Sequence, residues 1–233
     1  MIPGLAPQPA LAQELSISLG EGGSLTARSV QLILLITVLS LAPGLAIMVT
    51  CFPFLVTVLS ILRQAIGLQQ SPPNMLIVSL ALFLTYFVME PVFTAAWEQG
   101  VAPMVAEEID VEAAVPRIVA PFRDFMAARL DPETFASMAA LRPDVSQLTL
   151  SADAPLSVLV PSFLLSEIAR AFQIGFLVFL PFLIIDLVVA AILMSMGMMM
   201  VPPAIVSLPF KLSFFVLADG WSLIAGSLVR SYF

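Results

Sequence analysis

The 233-residue chain contains no histidine, one cysteine (Cys51) and one lysine (Lys211). A zinc or iron–sulfur site needs several Cys or His ligands, so neither can be built from these residues. One cysteine allows no intrachain disulfide. The commonest general base, His, is missing. No GxxxxGK[ST] or GxGxxG pattern occurs, so no phosphate-cradling loop is expected. Nine basic residues against sixteen acidic ones argue against nucleic-acid binding. No cofactor is therefore expected.

Charge is scarce as a class. Only 11% of residues are charged, against about 25% in a typical soluble domain. Apolar residues make up 60% of the chain and mean hydropathy is +1.06. Such a composition excludes a soluble single domain and a disordered chain, and points to helices buried in a membrane or an assembly.

The acidic excess is local. Eleven acids and four arginines lie between Glu90 and Asp153, and the remainder of the chain is neutral. The spacing of charges and turn residues predicts four regions. Residues 1–28 form an N-terminal tail with two open readings, a short polar tail or the remnant of a signal peptide ending near Ala10-Leu11-Ala12. Residues 29–97 form a first apolar helical hairpin. Pro43-Gly44 and Pro53 are expected to bend or break its first arm, and its tip lies near Pro72-Pro73. Residues 98–155 form a polar acidic insertion with one or two short helices. Its arginines at 117, 123 and 129 are read as a solvated face, and residues 141–154 as loop. Residues 156–233 form a second apolar hairpin with its tip at Pro202-Pro203. Pro53-Phe54-Leu55 and Ile77-Val78-Ser79-Leu80 recur 128 residues later, at Pro181 and Ile205, an echo of the kind repeat-built membrane proteins show. The fold class is all-α, an integral membrane-type protein of long kinked helical hairpins with a small polar helical insertion. Counting Lys and Arg leaves the side of the insertion open.

Four features ask for more than packing. Asp186, Lys211 and Asp219 stand in apolar segments, where an ionised group costs roughly 2.5–3.5 kcal/mol even on the most lenient scale. Lys211 requires a carboxylate partner, within the subunit or across subunits. Glu167 is the first choice, since both open their apolar regions and could share a depth. Asp186 or Asp219 could also serve as an ion or proton relay in a transporter or channel subunit, which is the alternative function. Finally, Met194, Met196 and Met198–Met200 cluster before Pro202-Pro203. Met is flexible and fills irregular gaps, and hydrophobic constrictions gate by excluding water.

The segment Pro161–Phe176 (PSFLLSEIARAFQIGF) resembles the signature of the FliP family, the flagellar type III export-gate proteins with injectisome counterparts. Pro181–Leu187 (PFLIIDL) through Met196–Pro203 (MGMMMVPP) is similar to the second signature of that family, and Leu208–Leu212 (LPFKL) and Asp219-Gly220-Trp221 follow in order. Leu62–Gly67 (LRQAIG), Ser71–Asn74 (SPPN) and Leu80–Thr85 (LALFLT) extend the likeness into the first half, so it covers roughly residues 30–230. Ser162 departs from the family's usual Ala, and Cys51-Phe52-Pro53-Phe54 replaces expected polar and basic residues. The resemblance implies a multi-pass protein of the bacterial inner membrane and flagellar basal body. It implies a self-assembly of five copies with FliQ-like and FliR-like membrane proteins, near FlhB-like and FlhA-like export proteins, through which unfolded flagellar cargo passes. By the same resemblance Met198, Met199 and Met200 form a pore gasket, Glu167 and Lys211 an ion pair at the subunit interface, and the insertion lies on the periplasmic side.

Overall fold

The computed structural model describes residues 25–67, 72–142 and 149–233. Every regular element among them is helical. The expectations for residues 1–24, for Gln69-Gln70-Ser71 and for the Pro143-Asp144 turn lie outside the described residues.

Residues 1–43 and 44–233 are separate compact units. The first contributes most of helix α1 (Leu25–Met48), whose described apolar side chains from Val30 to Leu41 are exposed. Thr37 and Ser40 return their hydroxyl protons to the carbonyls of Ile33 and Ile36, 2.7 Å away in each case, so even the polar groups of this helix are satisfied internally. That is the requirement of a helix in hydrocarbon.

Helix α1 continues through Pro43-Gly44, so the run is not broken there. The break falls at Val49–Cys51, where the Thr50 hydroxyl donates to the Ile47 carbonyl (2.8 Å) and accepts from the Phe52 amide (3.3 Å). Pro53 then sits in the first turn of α2 (Phe52–Ile66), where its missing N–H costs nothing. The first arm is thus two helices, with the break next to Pro53. α2 is amphipathic: Phe54, Leu55, Val58, Leu59 and Leu62 recur on one face and are fully buried. Gly67, at φ +87°, ends the helix in the left-handed conformation that favours glycine. After the tip, Pro73 precedes α3 (Asn74–Ala96), which runs through Pro91, a π-helical turn (Trp97–Val101) and α4 (Ala102–Val105). The helical run therefore continues past residue 97, where polar residues begin.

The insertion carries two helices, α5 (Val111–Arg129) and α6 (Pro132–Ala140). Each has an aspartate N-cap: Asp110 accepts from the Ala113 amide and Asp131 from the Thr134 amide, both at 2.8 Å. Met126, Leu130, Phe135 and Ala139 pack with Val158, Leu159 and Phe163 into a small apolar core. The insertion is therefore anchored on the first turns of α7 rather than hung from a linker.

α7 (Leu156–Ser195) is one helix of 40 residues that passes through Pro161 and Pro181. α8 (Pro203–Leu217) returns from the Pro202-Pro203 tip, and α9 (Gly220–Arg230) follows across a 61° bend. Of the echoed motifs, Ile77 and Ile205 both lie in the first turns after a Pro-Pro step, whereas Pro53 opens a helix and Pro181 lies inside one. α2 lies between α3 and α7. At Gly175 it approaches so closely that a Cβ would stand 2.4 Å from Ile61 Cδ1. Among the described residues three helices are long and apolar enough to cross a membrane (28–48, 74–105 and 156–195), and the bent pair α8–α9 makes a fourth if it is one span.

Candidate functional site: a methionine turn and two charge clusters

The methionine run forms the turn from α7 to α8. The Gly197 amide bonds to the Met194 carbonyl (3.1 Å) and the Met198 amide to the Leu193 carbonyl (3.0 Å), with Gly197 at φ +75°. This double closure around a left-handed glycine is a Schellman cap. It ends α7 and throws the next residues outward. Met199 is 84% exposed and Met200 97%, while Met198 is 41% exposed and turned back toward the helices. Two adjacent, almost bare thioether chains are an unusual surface for an unpartnered protein.

Lys211 lies beyond the turn on α8. Within the chain its ammonium does not meet Glu167. It donates to Asp186 Oδ2 (2.6 Å) and to the Ala65 carbonyl (3.2 Å), and the Ser207 hydroxyl donates to Asp186 Oδ1 (2.6 Å). Ala65 is in the last turn of α2, whose unpaired carbonyls and macrodipole favour a cation. Lys211 thus joins α7, α8 and the end of the first hairpin. Within the chain the choice of Glu167 by depth does not hold: Asp186 is on the stretch of α7 that faces Lys211, whereas Glu167 lies 19 residues earlier on the same helix and has other partners.

Glu167 is fully buried and has partners of its own. Its Oε1 accepts from Arg129 Nε (3.2 Å) and Arg170 Nη1 (3.5 Å), and its Oε2 from the Tyr232 hydroxyl (2.5 Å). Arg129 also donates to the Ser231 carbonyl (2.8 Å) and stacks on the Tyr232 ring, its guanidinium carbon 4.0 Å from the centroid. Burial and the neighbouring Glu167 charge push the Tyr232 hydroxyl pKa above the ordinary phenol range. Its proton therefore stays on oxygen, where it is donated to the carboxylate. Asp131, on the insertion, is held below the usual carboxylate range by the Thr134 hydroxyl and amide, with a smaller contribution from Arg170. The arginines at 123 and 129, read as a solvated face, are turned inward: Arg123 donates to the carbonyls of Ala152 (2.9 Å) and Ala154 (2.8 Å).

Asp219 is not buried in the apolar body. It is exposed, at φ +48°, at the bend between α8 and α9, and accepts from the Ser222 hydroxyl (3.1 Å). Among the described residues no group of three His, Cys, Asp or Glu could hold a metal ion. Sequence reasoning missed Arg129, Tyr232 and Ser207. Arg170, three residues after Glu167, was visible as a helical neighbour, but the others come from 38, 65 and 21 residues away from their carboxylates.

The sequence profile of the FliP family matches residues 35–228. The flagellar biosynthetic protein FliP of Caulobacter vibrioides is 51% identical over 98% of this chain and 86% of its own length. The Agrobacterium fabrum protein of that name is 49% identical over 99% of this chain and 94% of its own, and the Bacillus subtilis one is 45% identical over 88% and 92%. The chain belongs to the FliP family, as a membrane-embedded, non-enzymatic component of flagellar protein export.

Proposed function

We propose that this chain is the pore-forming subunit of the flagellar export gate. Several copies, five by family resemblance, assemble in the bacterial inner membrane with FliQ-like and FliR-like proteins. FlhB-like and FlhA-like proteins adjoin them in the basal body, and unfolded flagellar cargo passes through. The observation that carries this reading is the outward presentation of Met199 and Met200 on a capped turn. Repeated around a ring, such turns bring flexible apolar side chains to a common axis. A constriction of that kind excludes water and ions when empty, and deforms around a chain in transit. The described residues contribute no nucleotide or metal site, so energy for transport comes from elsewhere in the apparatus.

The second reading, a transporter with Asp186 and Asp219 as a relay, gains less support. Asp186 is held by Lys211 and Ser207, and Asp219 is at an exposed bend. The test is conductance of the co-purified complex in a planar bilayer. Met198, Met199 and Met200 changed together to Ala should leak small ions where the unaltered complex stays closed. Unchanged conductance in the triple variant overturns the gasket.

A further inference from the structure

Beneath the methionine turn lies an apolar groove of about 490 Å³ between α7 and α8. Val188, Ile192 and Leu193 form one wall and Val206 and Phe210 the other, and Met198 closes the end below the turn. No polar atom lines it. Met198 is thus both a gasket residue and a groove residue, one bond from Met199 along the chain.

We propose that the groove is the receptacle into which the Met199 and Met200 side chains withdraw when the gate opens. This rests on the gasket reading and gives it a mechanism. A seal made of apolar side chains opens cheaply only if those side chains have a second apolar place to go; otherwise opening exposes them to water. The groove is such a place, and it belongs to the same subunit, so withdrawal needs no partner to move. The turn has room around it. Gly197 sits at φ +75°, and a Cβ built there would meet no atom within 4 Å. Pro202 fixes the far end at the start of α8, which confines the swing to the residues between them. The occupant is named by the tether and by exposure: Met199 is bound directly to the groove-lining Met198 and Met200 follows it, and both are more exposed than Leu187, Met194 or Ile205, which also adjoin lining residues in the chain. Both end states bury thioether against hydrocarbon, so passing cargo needs to supply little to shift the population from one to the other.

The experiment fills the groove. Ile192→Trp and Val188→Trp place an indole in it at positions that are each 52% exposed, which limits the risk to folding. Ile205→Trp, exposed on α8 outside the groove, is the control for bulk. Native mass of the co-purified complex is read first, and conductance and secretion of flagellar cargo next. With assembly intact, the groove-filled variants should stay closed to ions yet lose at least tenfold in secretion, while the control secretes normally. A second measurement uses Met199→Cys with Ile192→Cys in a Cys51→Ala background. A disulfide should form when cargo is stalled in the pore and should leave the complex leaking to ions. Normal secretion by the filled variants overturns the receptacle, and so does failure of the assembled double-cysteine complex to crosslink with cargo stalled. If the filled variants do not assemble, the groove is an interface between chains and the receptacle is likewise overturned. The gasket itself fails only if the triple Met→Ala variant does not leak, so the two ideas fall separately.

Discussion

The Tyr232 hydroxyl donates to the Glu167 carboxylate at 2.5 Å, while the face of the same ring carries the Arg129 guanidinium at 4.0 Å. One aromatic side chain therefore serves both members of an ion pair. Its edge meets Phe54 of α2 (centroids 5.6 Å apart) and it stacks with Phe125 of α5 (6.1 Å). The insertion, the first hairpin and α7 are tied at this point.

Removing the carboxylate should cost more than removing the tyrosine hydroxyl. Glu167→Ala strands two arginines near a fully buried position, and loss of one partner of such a pair costs about 3–5 kcal/mol. Tyr232→Phe keeps the stacking and loses one hydrogen bond to a charged group, about 1.5–3 kcal/mol. Thermal midpoints in detergent should fall in the order Tyr232→Phe, then Glu167→Ala. The reverse order would show that the tyrosine hydroxyl, not the carboxylate, organises the cluster.

Lys211→Met should destabilise by several kcal/mol, because it leaves Asp186 with Ser207 alone and the end of α2 without its cation. Asp186→Asn keeps one acceptor oxygen for Lys211, presents its amide to a Ser207 hydroxyl that can accept instead, and should cost less. Equal losses in chemical-denaturation midpoints would mean that the charge of Asp186 matters as much as its shape.

Ser162 is fully buried and its hydroxyl oxygen has no hydrogen-bond partner. An unsatisfied buried polar group costs about 1–3 kcal/mol. Ser162→Ala should therefore raise the thermal midpoint, with assembly unchanged. A lower midpoint would reveal a hydroxyl contact formed only in the complex.

Acid should loosen the insertion first. The Asp131 carboxyl has a folded pKa below its ordinary value, held there chiefly by Thr134. Its contribution to stability is full above the unfolded carboxylate pKa and is lost as pH falls through the folded value. Proteolysis between α5 and α6 should rise across that acidic window, and in Asp131→Ala it should already be high at neutral pH. A pH-independent cleavage rate in the unaltered protein would rule this out.

Gly175→Ala should separate α2 from α7, since the added methyl would stand 2.4 Å from Ile61 Cδ1. Overpacking of this kind costs about 1–3 kcal/mol. Adding Ile61→Val should recover part of the loss. No recovery would place the strain elsewhere.

Much of the helical layout was legible, for a physical reason. Charge-free runs, Pro-Pro steps and an acidic block are local signals, and the tips at Pro72-Pro73 and Pro202-Pro203 followed from them. Pro43 does not break α1, and Pro91, Pro161, Pro181 and Pro209 are likewise inside helices, because proline breaks a helix in water far more reliably than in an apolar setting. Within the chain Lys211 meets Asp186 rather than Glu167, because pairing depends on which stretch of α7 faces α8 and not on position in each apolar segment. Arg129 and Tyr232 left no local trace at all. An arginine among acids reads as solvated until the fold brings a buried carboxylate to it.

α7 carries Glu167 and Asp186 on a single unbroken helix. Nineteen residues at 1.5 Å each set the two clusters roughly 28 Å apart, and at about 100° per residue they also fix the angle between them. Length and phase are locked together. Inserting one residue between the two carboxylates would lengthen the helix by only about 1.5 Å, yet it would rotate one cluster by about 100° relative to the other. Both clasps could not then close. This stretch of α7 can change its side chains more readily than its length.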